Sequence, residues 1–395
     1  MSKPVNVADF RALAKNRLPK MVFDYLEGGA EDESGIRRNV NAFREVLFQP
    51  HRLVDVSVRD VTTTFFGKRQ RLPLVIAPTG LNGIFWPDGD LALARAASRF
   101  GIPFALSTAS TASIEQVARE CDGELWFQLY VVHRKLASQL VRRAMDSGYT
   151  TLILTTDVGV NGKRERDMRN GFGFPLKYSL RTVFEGAIHP RWTADLLRHG
   201  IPQLANFADE QMQDTEIQAA LMSRQMDASF SFDDLAWLRR LWPHKLLIKG
   251  LSRPADAERC IALGADGVIL SNHGGRQLES AIAPLQTLQE TASKLVAPVL
   301  LDSGVRRGSD VVKAVALGAR AVLLGRATLY GLAAQGQEGV EAVLAILKDE
   351  IDRTLAQIGC ASLSGLTSDY IWESGRKLPA REGNVVCLNG VNCVA

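Results

Sequence analysis

The chain of 395 residues is 46% hydrophobic, enough for a large core, and its 47 Lys and Arg against 43 Asp and Glu leave a net charge of +4, so composition gives no reason to expect a nucleic-acid partner. Five cysteines without zinc-type spacing imply reduced thiols and no metal centre. The opening MSKPVNVADF lacks the apolar core of a signal peptide, and no apolar run approaches the ~20 residues of a membrane-spanning helix, so a protein neither secreted nor membrane-spanning is expected.

Residues 7–30 predict two short helices leading into DYLEGGAEDE, which is either a surface turn or brings Tyr25 to an active site. Residues 31–70 are mixed and charged, and predict a lead-in covering one end of the domain. From residue 72 a short apolar run, a polar or glycine-rich end and a helix-periodic stretch recur eight times. The runs are LPLVIAPTG (72–80), PFALSTAS (103–110), LWFQLY (125–130), TLILTTD (151–157), KLLIKG (245–250), GVILSNH (267–273), PVLLDSG (298–304) and AVLLGR (321–326). Near-continuous hydrophobicity suits parallel strands buried on both faces, and several intervening helical stretches end in Gly.

Eight such units predict an α/β fold, a (β/α)8 TIM barrel with an N-terminal helical lead-in, and treat residues 1–395 as a single domain. A doubly wound sheet is the rival, but PTGLNG (78–83) is not the G-x-G-x-x-G turn it would carry. Barrels place active sites at the carboxyl ends of their strands, and those ends here hold Gly80, Ser107, Gln128, Tyr130, Thr155, Asp157, Lys249, His273, Arg276, Asp302 and Arg326. In SNHGGRQ (271–277), His273 offers a base at neutral pH and Arg276 a fork of donors matched to a carboxylate.

Strand spacing breaks between the fourth and fifth runs, where 158–244 is a long insertion. Its start, GVNGKRERDMRNGF (159–172), predicts a lid in which Arg164 is able to fold over the barrel mouth. The segment 176–207 interleaves Tyr178, Phe184 and Trp192 with Lys177, Arg181, Arg191 and Arg198. That pattern suits a membrane interface or a neighbouring subunit equally. A closing amphipathic helix is expected at 339–359, and the tail from 373 shows little periodicity.

DSGVRRG (302–308) and LLGR (323–326) bring glycines, Arg306 and Arg326 near the last two strands, either as two turns with surface arginines or as the phosphate site common in barrels. A phosphate there leaves Gln128, Thr155 and Lys249 to bind a planar heterocycle, which flavin mononucleotide (FMN) satisfies.

The motifs APTG (77–80), LSTAS (106–110), WFQLY (126–130), LTTDV (154–158), IKG (248–250), SNHGGRQ, DSGVRRG and LLGRA (323–327) together resemble the FMN-dependent family that oxidises α-hydroxy acids. The resemblance covers nearly the whole chain, and LPKMVFDYLEGGAEDE, WPDGDLALARAA and HPRW…RHGIPQLANF resemble its bacterial mandelate-oxidising branch. It implies a small 2-hydroxy-acid substrate, with His273 taking the α-proton, or the hydroxyl proton if the electron pair leaves as hydride. Asp157 would support the imidazolium, while Arg276 and Arg164 would hold the carboxylate with Tyr130 and Tyr25. Pro78, Thr79, Gly80, Ser107, Gln128 and Thr155 would surround the flavin ring and Lys249 its N1–C2 edge. Asp302 would meet the ribityl chain, and Gly304, Arg306, Gly325 and Arg326 the phosphate. Gly80 stands where oxidases of the family usually have Ala, leaving room for an aromatic substrate. A homotetramer bound peripherally to the cytoplasmic side of the inner membrane, delivering electrons to a membrane acceptor, is the further implication. The alternatives are a soluble oxidase using oxygen and a flavin-free phosphate-binding sensor.

Overall fold

The computed structural model describes residues 3–172, 180–207 and 226–372. The eight apolar runs form eight parallel strands: β1 (Leu74–Ile76), β2 (Phe104–Ser107), β3 (Leu125–Leu129), β4 (Thr151–Thr155), β5 (Lys245–Leu251), β6 (Gly267–Leu270), β7 (Val299–Leu301) and β8 (Ala321–Leu324). They pair in chain order, and β8 closes on β1 through Val322–Leu74, Leu323–Val75 and Leu324–Ile76. The chain is therefore a TIM barrel, as expected.

Continuous hydrophobicity follows from burial on both sides. One set of alternate residues, Val75, Ala105, Trp126, Ile153, Leu247, Ile269, Leu300 and Leu323, fills the barrel interior. The other set, including Leu74, Phe104, Phe127, Leu152, Leu246, Val268, Leu301 and Val322, packs under the helices. Two residues further along each strand the interior positions become Ala77, Ser107, Gln128, Thr155, Lys249, Ser271, Asp302 and Gly325. The same alternation that builds the core thus puts polar groups on its upper surface.

The lower end is sealed by the lead-in. Thr63–Phe65 and Lys68–Gln70 form an antiparallel hairpin whose tip presents Phe65 and Phe66 edge-on to Trp126, with centroids 6.2 and 6.1 Å away. A ligand therefore meets the barrel at its carboxyl end.

The two expected N-terminal helices are α1 (Val7–Arg17) and α2 (Lys20–Glu27). A third, α3 (Ser34–Glu45), lies within the stretch read as a mixed, charged lead-in, and buries Gly35, Asn39, Ala42 and Phe43. Around the barrel follow α4 (Gly89–Phe100), α5 (Ile114–Glu120) and α6 (Arg134–Asp146), then the insertion with α7 (Glu165–Asn170), α8 (Leu180–Ile188) and α9 (Pro190–His199). The ring continues with α10 (Phe232–Leu241), α11 (Pro254–Ala262), α12 (Leu285–Lys294) and α13 (Gly308–Ala316). The helix expected at 339–359 is the second arm of α14 (Arg326–Ile358), which bends at Gln335–Gly336, where Gly336 has φ of 62°. Part of the 176–207 segment and the tail from 373 lie outside the described residues.

Trp126 is fully buried and is the contact through which the hairpin seals the barrel. Trp126→Ala should lower unfolding free energy by about 3–5 kcal/mol, read by urea denaturation. A loss under about 1 kcal/mol would mean that the interior closes without it.

Candidate active site at the carboxyl end of the barrel

The polar upper layer is hydrogen-bonded sideways from strand to strand. Ser107 Oγ donates to Gln128 Oε1 at 3.1 Å, and Gln128 Nε2 to Thr155 Oγ1 at 3.0 Å. Across the barrel the Lys249 ammonium, 4% exposed, lies 2.8 Å from Asp302 Oδ2 and 2.9 Å from Ser271 Oγ. Burial alone would pull its pKa down, but Asp302 and Asp157 outweigh that and hold it above the ordinary lysine value. A permanent cation therefore stands in the floor.

Beyond β6 the chain takes three successive left-handed residues: His273 (φ 57°), Gly274 (φ 67°) and Gly275 (φ 76°). Glycine is needed twice over, because a Cβ at 274 would come 2.7 Å from Arg326 Nη1 and one at 275 would come 2.7 Å from Ile36 N. The non-glycine His273 is held in this costly conformation by bonds from its N–H to Ser271 Oγ, 3.0 Å, and from its ring to Asp157. Nδ1 is 2.9 Å from Asp157 Oδ1, so the proton shared there leaves Nε2 as the basic atom, 3.5 Å from the Tyr130 hydroxyl. Burial would raise the Asp157 carboxyl, yet His273 and Lys249 hold it below the usual carboxylate range.

The N-terminal turn is tied over this site by two guanidinium groups. Arg276 Nη1 donates to the carbonyls of Tyr25 and Gly28 at 2.8 and 2.7 Å. Arg326 donates to Leu26, Gly28 and Gly274. In DYLEGGAEDE, Tyr25 is buried and lines the cavity, under the Arg276 guanidinium at 5.2 Å from its ring centroid. Arg164, from the lid, donates Nε to the Arg276 carbonyl at 3.3 Å. Among the described residues its buried Nη2 has no hydrogen-bond partner, a donor that an anionic ligand would engage.

These groups surround a cavity of about 570 Å³. Pro78, Thr79, Gly80, Ser107, Tyr130, Lys249, His273, Arg276, Arg164, Asp302, Gly304, Arg306, Gly325 and Arg326 all line it. Gln128 and Thr155 belong to the bonded floor, and Asp157 lies behind His273. One wall is apolar and aromatic, with Tyr25 stacked on Phe172 at 4.4 Å and on Phe85 at 6.0 Å. Near β7 and β8, a Cβ at Gly325 would meet no atom of the described residues within 4 Å, and α14 begins at the next residue. Open space, a helix N-terminus, Arg306 and Arg326 together fit a phosphate. The donor and acceptor row from Ser107 to Lys249 fits a planar heterocycle, so the residues present fit FMN.

Ser271 and Ser303 also belong to the site and were not singled out from sequence. Ser271 was within reach of the strand parity that identifies Lys249. Ser303 donates to Asp302 Oδ1 at 2.6 Å and accepts from Gly274 N at 3.0 Å, contacts between loops that no local pattern encodes. Asp167 also lines the cavity, three residues after Arg164 on the lid. Burial pushes its carboxyl up to about 6, opposed by Arg276 and reinforced by Asp24.

Comparison with known proteins agrees with this geometry. The family model for FMN-dependent dehydrogenases matches residues 14–373. The chain belongs to the FMN-dependent dehydrogenase family. Among relatives of this family, it is 63% identical over 370 residues to (S)-mandelate dehydrogenase of Pseudomonas putida, covering 94% of each chain. It is 39% identical over 383 residues to glycolate oxidase 1 of Zea mays, covering 96% of this chain and 99% of that one. The crystal structure of the monotopic membrane protein (S)-mandelate dehydrogenase superposes with a TM-score of 0.92 at 62% identity, over 94% of this chain and all of the other.

Asp167 has a checkable effect on this FMN-dependent dehydrogenase. Its folded pKa, about 6, lies above the 3.8 of a free carboxyl, so the ionised form costs stability above pH 6 and the cost fades as pH falls towards 4. Asp167→Asn should therefore stabilise the protein at pH 7 by on the order of 1 kcal/mol, allowing for solvent screening, and change little near pH 4 in denaturation curves. Equal gains at both pH values would remove the carboxyl's ionisation as the cause.

Proposed function

We propose that the chain is an (S)-mandelate dehydrogenase, converting (S)-mandelate to benzoylformate and passing the electrons to a membrane acceptor. The observation that carries the chemistry is the meeting, in one cavity, of the Asp157-bound His273 with the Arg276 and Arg164 guanidinium groups. The aromatic wall of Tyr25, Phe172 and Phe85 and the 63% identity to the Pseudomonas putida enzyme favour a phenyl-bearing substrate.

Arg164 and Arg276 bind and orient the substrate carboxylate, with the Tyr130 and Tyr25 hydroxyls assisting. Arg164 Nη2, which has no partner among the described residues, would thereby acquire one. His273 Nε2 accepts the proton from the α-carbon, or from the hydroxyl if the electron pair leaves as hydride, and Asp157 stabilises the imidazolium. Both guanidinium groups also stabilise negative charge developing at the α-carbon, a contribution of about 3 kcal/mol in comparable sites. FMN, when bound, accepts the two electrons. Pro78, Thr79, Gly80, Ser107, Gln128 and Thr155 would hold its ring, and Lys249 would stabilise negative charge on it. Asp302 would hold the ribityl chain, and Gly304, Arg306, Gly325 and Arg326 the phosphate. Gly80 keeps the cavity wide here, for a Cβ at 80 would come 3.1 Å from Ala109 Cβ and from its carbonyl.

Peripheral membrane attachment is part of the proposal. Helices α8 and α9 expose Phe184, Ile188 and Leu197, flanked by the exposed Arg191 and Arg198, which suits shallow burial among anionic lipids. No helix among the described residues is long and apolar enough to cross a membrane. A homotetramer on the cytoplasmic side of the inner membrane completes the reading. The similarity to glycolate oxidase supports a second one, a soluble oxidase that delivers electrons to oxygen.

Anaerobic titration of the flavin spectrum separates them. Mandelate should bleach the flavin where lactate and glycolate do not, reoxidation in air should be slow, and His273→Asn should retain flavin while bleaching about 10³–10⁴-fold more slowly. Bleaching by glycolate with fast reoxidation in air would favour the oxidase, and an unchanged rate in His273→Asn would remove His273 as the base.

A further inference from the structure

We propose that the Ser303 hydroxyl positions His273 for proton abstraction, by closing a circuit of hydrogen bonds between the backbone of that residue and the Lys249 cation. This rests on the reading of His273 as the base of a hydroxy-acid dehydrogenase, and adds to it a residue of the β7 loop that acts through the base.

Ser303 has φ of 77°, in the left-handed region where serine has no preference of its own, and Gly304 follows it at 94°. Glycine is required at 304, because a Cβ there would come 2.5 Å from the Asn39 carbonyl oxygen of α3. At 303 glycine would also be the easier residue, so serine carries a conformational cost. A strained residue persists where its surroundings fix it. Here the fixing group is the side chain itself: Oγ donates to Asp302 Oδ1 at 2.6 Å and accepts from the Gly274 N–H at 3.0 Å.

Those two bonds complete a closed path. Asp302 Oδ2 pairs with Lys249 Nζ at 2.8 Å, and Lys249 Nζ donates to Ser271 Oγ at 2.9 Å. Ser271 Oγ in turn accepts from the His273 N–H at 3.0 Å. The peptide units on the two sides of the His273 Cα are thus held by two serine hydroxyls, Ser271 before it and Ser303 after it, and both lead back to one buried ammonium. Because His273 is itself left-handed, at 57°, the direction in which its side chain leaves the backbone is set by these two peptides. The bond from Nδ1 to Asp157 Oδ1, 2.9 Å, orients the imidazole but does not place the Cα.

The groups assigned to the substrate carboxylate are anchored outside this circuit. Arg276 is tied to the Tyr25 and Gly28 carbonyls, and Arg164 to the Arg276 carbonyl. Loss of the Ser303 hydroxyl therefore moves the base and spares the grip on the carboxylate, so rate and affinity separate. A displacement of about 1 Å is enough to cost about 100-fold in rate.

The test compares two FMN-loaded variants. Ser303→Gly removes the hydroxyl and relieves the backbone, whereas Ser303→Ala removes the hydroxyl and keeps the strain. Anaerobic bleaching at saturating mandelate should slow about 10- to 100-fold in both. The dissociation constants of FMN and of phenylacetate, a carboxylate with no hydroxyl to oxidise, should stay within about threefold of the parent. In urea Ser303→Gly should outlast Ser303→Ala while bleaching no faster, which a merely structural role would not produce. Amide exchange across 271–277 should quicken about tenfold in both variants, with or without substrate.

Bleaching at the parent rate in Ser303→Gly, slowing confined to Ser303→Ala, or unchanged exchange across 271–277 would each overturn the proposal. Loss of FMN would overturn it in favour of a flavin contact, and loss of phenylacetate binding in favour of a general loosening of the site. Failure of mandelate to bleach the parent would count against the dehydrogenase reading instead, and amide exchange would still decide whether Ser303 holds the His273 turn.

Discussion

The site depends on one buried charge. Lys249 sits at an interior position of β5, where Ser271 at the end of neighbouring β6 and Asp302 at the end of β7 are its direct partners among the described residues, and its ammonium would be untenable there without them. Asp157, just past β4, shares the same field and is in turn bonded to His273. The cation in the floor, the Asp157 carboxylate and the His273 ring bonded to it therefore form one electrostatic unit. The barrel supplies the low-dielectric surroundings that make these interactions strong.

That unit is covered from above by chain drawn from far away in sequence. Arg326, at the start of α14, and Arg276, just beyond β6, both clamp the carbonyls of residues 25–28. The N-terminal turn thus becomes a wall of the site, and Tyr25 arrives there with its backbone fixed by the same guanidinium that stacks over its ring. The start of the insertion brings Arg164 to the Arg276 carbonyl and Asp167 to the cavity edge. A cavity built from so many segments gathers several cations around one space, which suits chemistry that develops negative charge beside them.

Much of this was legible in the sequence because strand parity carries it. A strand buried on both faces reads as an apolar run, and the polar residue that interrupts it at an interior position, Gln128, Thr155, Lys249 or Asp302, is marked by its cost. The glycine pair after His273 was equally visible, since only a turn with left-handed residues needs it there. What stayed hidden depends on contacts between distant segments. Helix α3 sits in a stretch whose charged residues, such as Arg37, Arg38 and Arg44, mask its short Ile36–Val40–Phe43 stripe, and its exchange of amide bonds between Asn39 and Asn272 has no local signal. The role of Phe65 and Phe66 as the lower seal, the bracing of Trp86 by Arg17 and the approach of Asp167 to Arg276 likewise have no local signal.

The central claim is that His273 is the base and that Asp157 tunes it, and the pH dependence of flavin reduction tests it most directly. A neighbouring carboxylate favours the imidazolium, so Asp157→Asn should lower the His273 pKa. In kcat/KM for mandelate measured across pH 4–9, the acidic limb should move to lower pH in Asp157→Asn, with a reduced plateau and flavin retained. An acidic limb at the same pH in the variant and the parent would contradict the account.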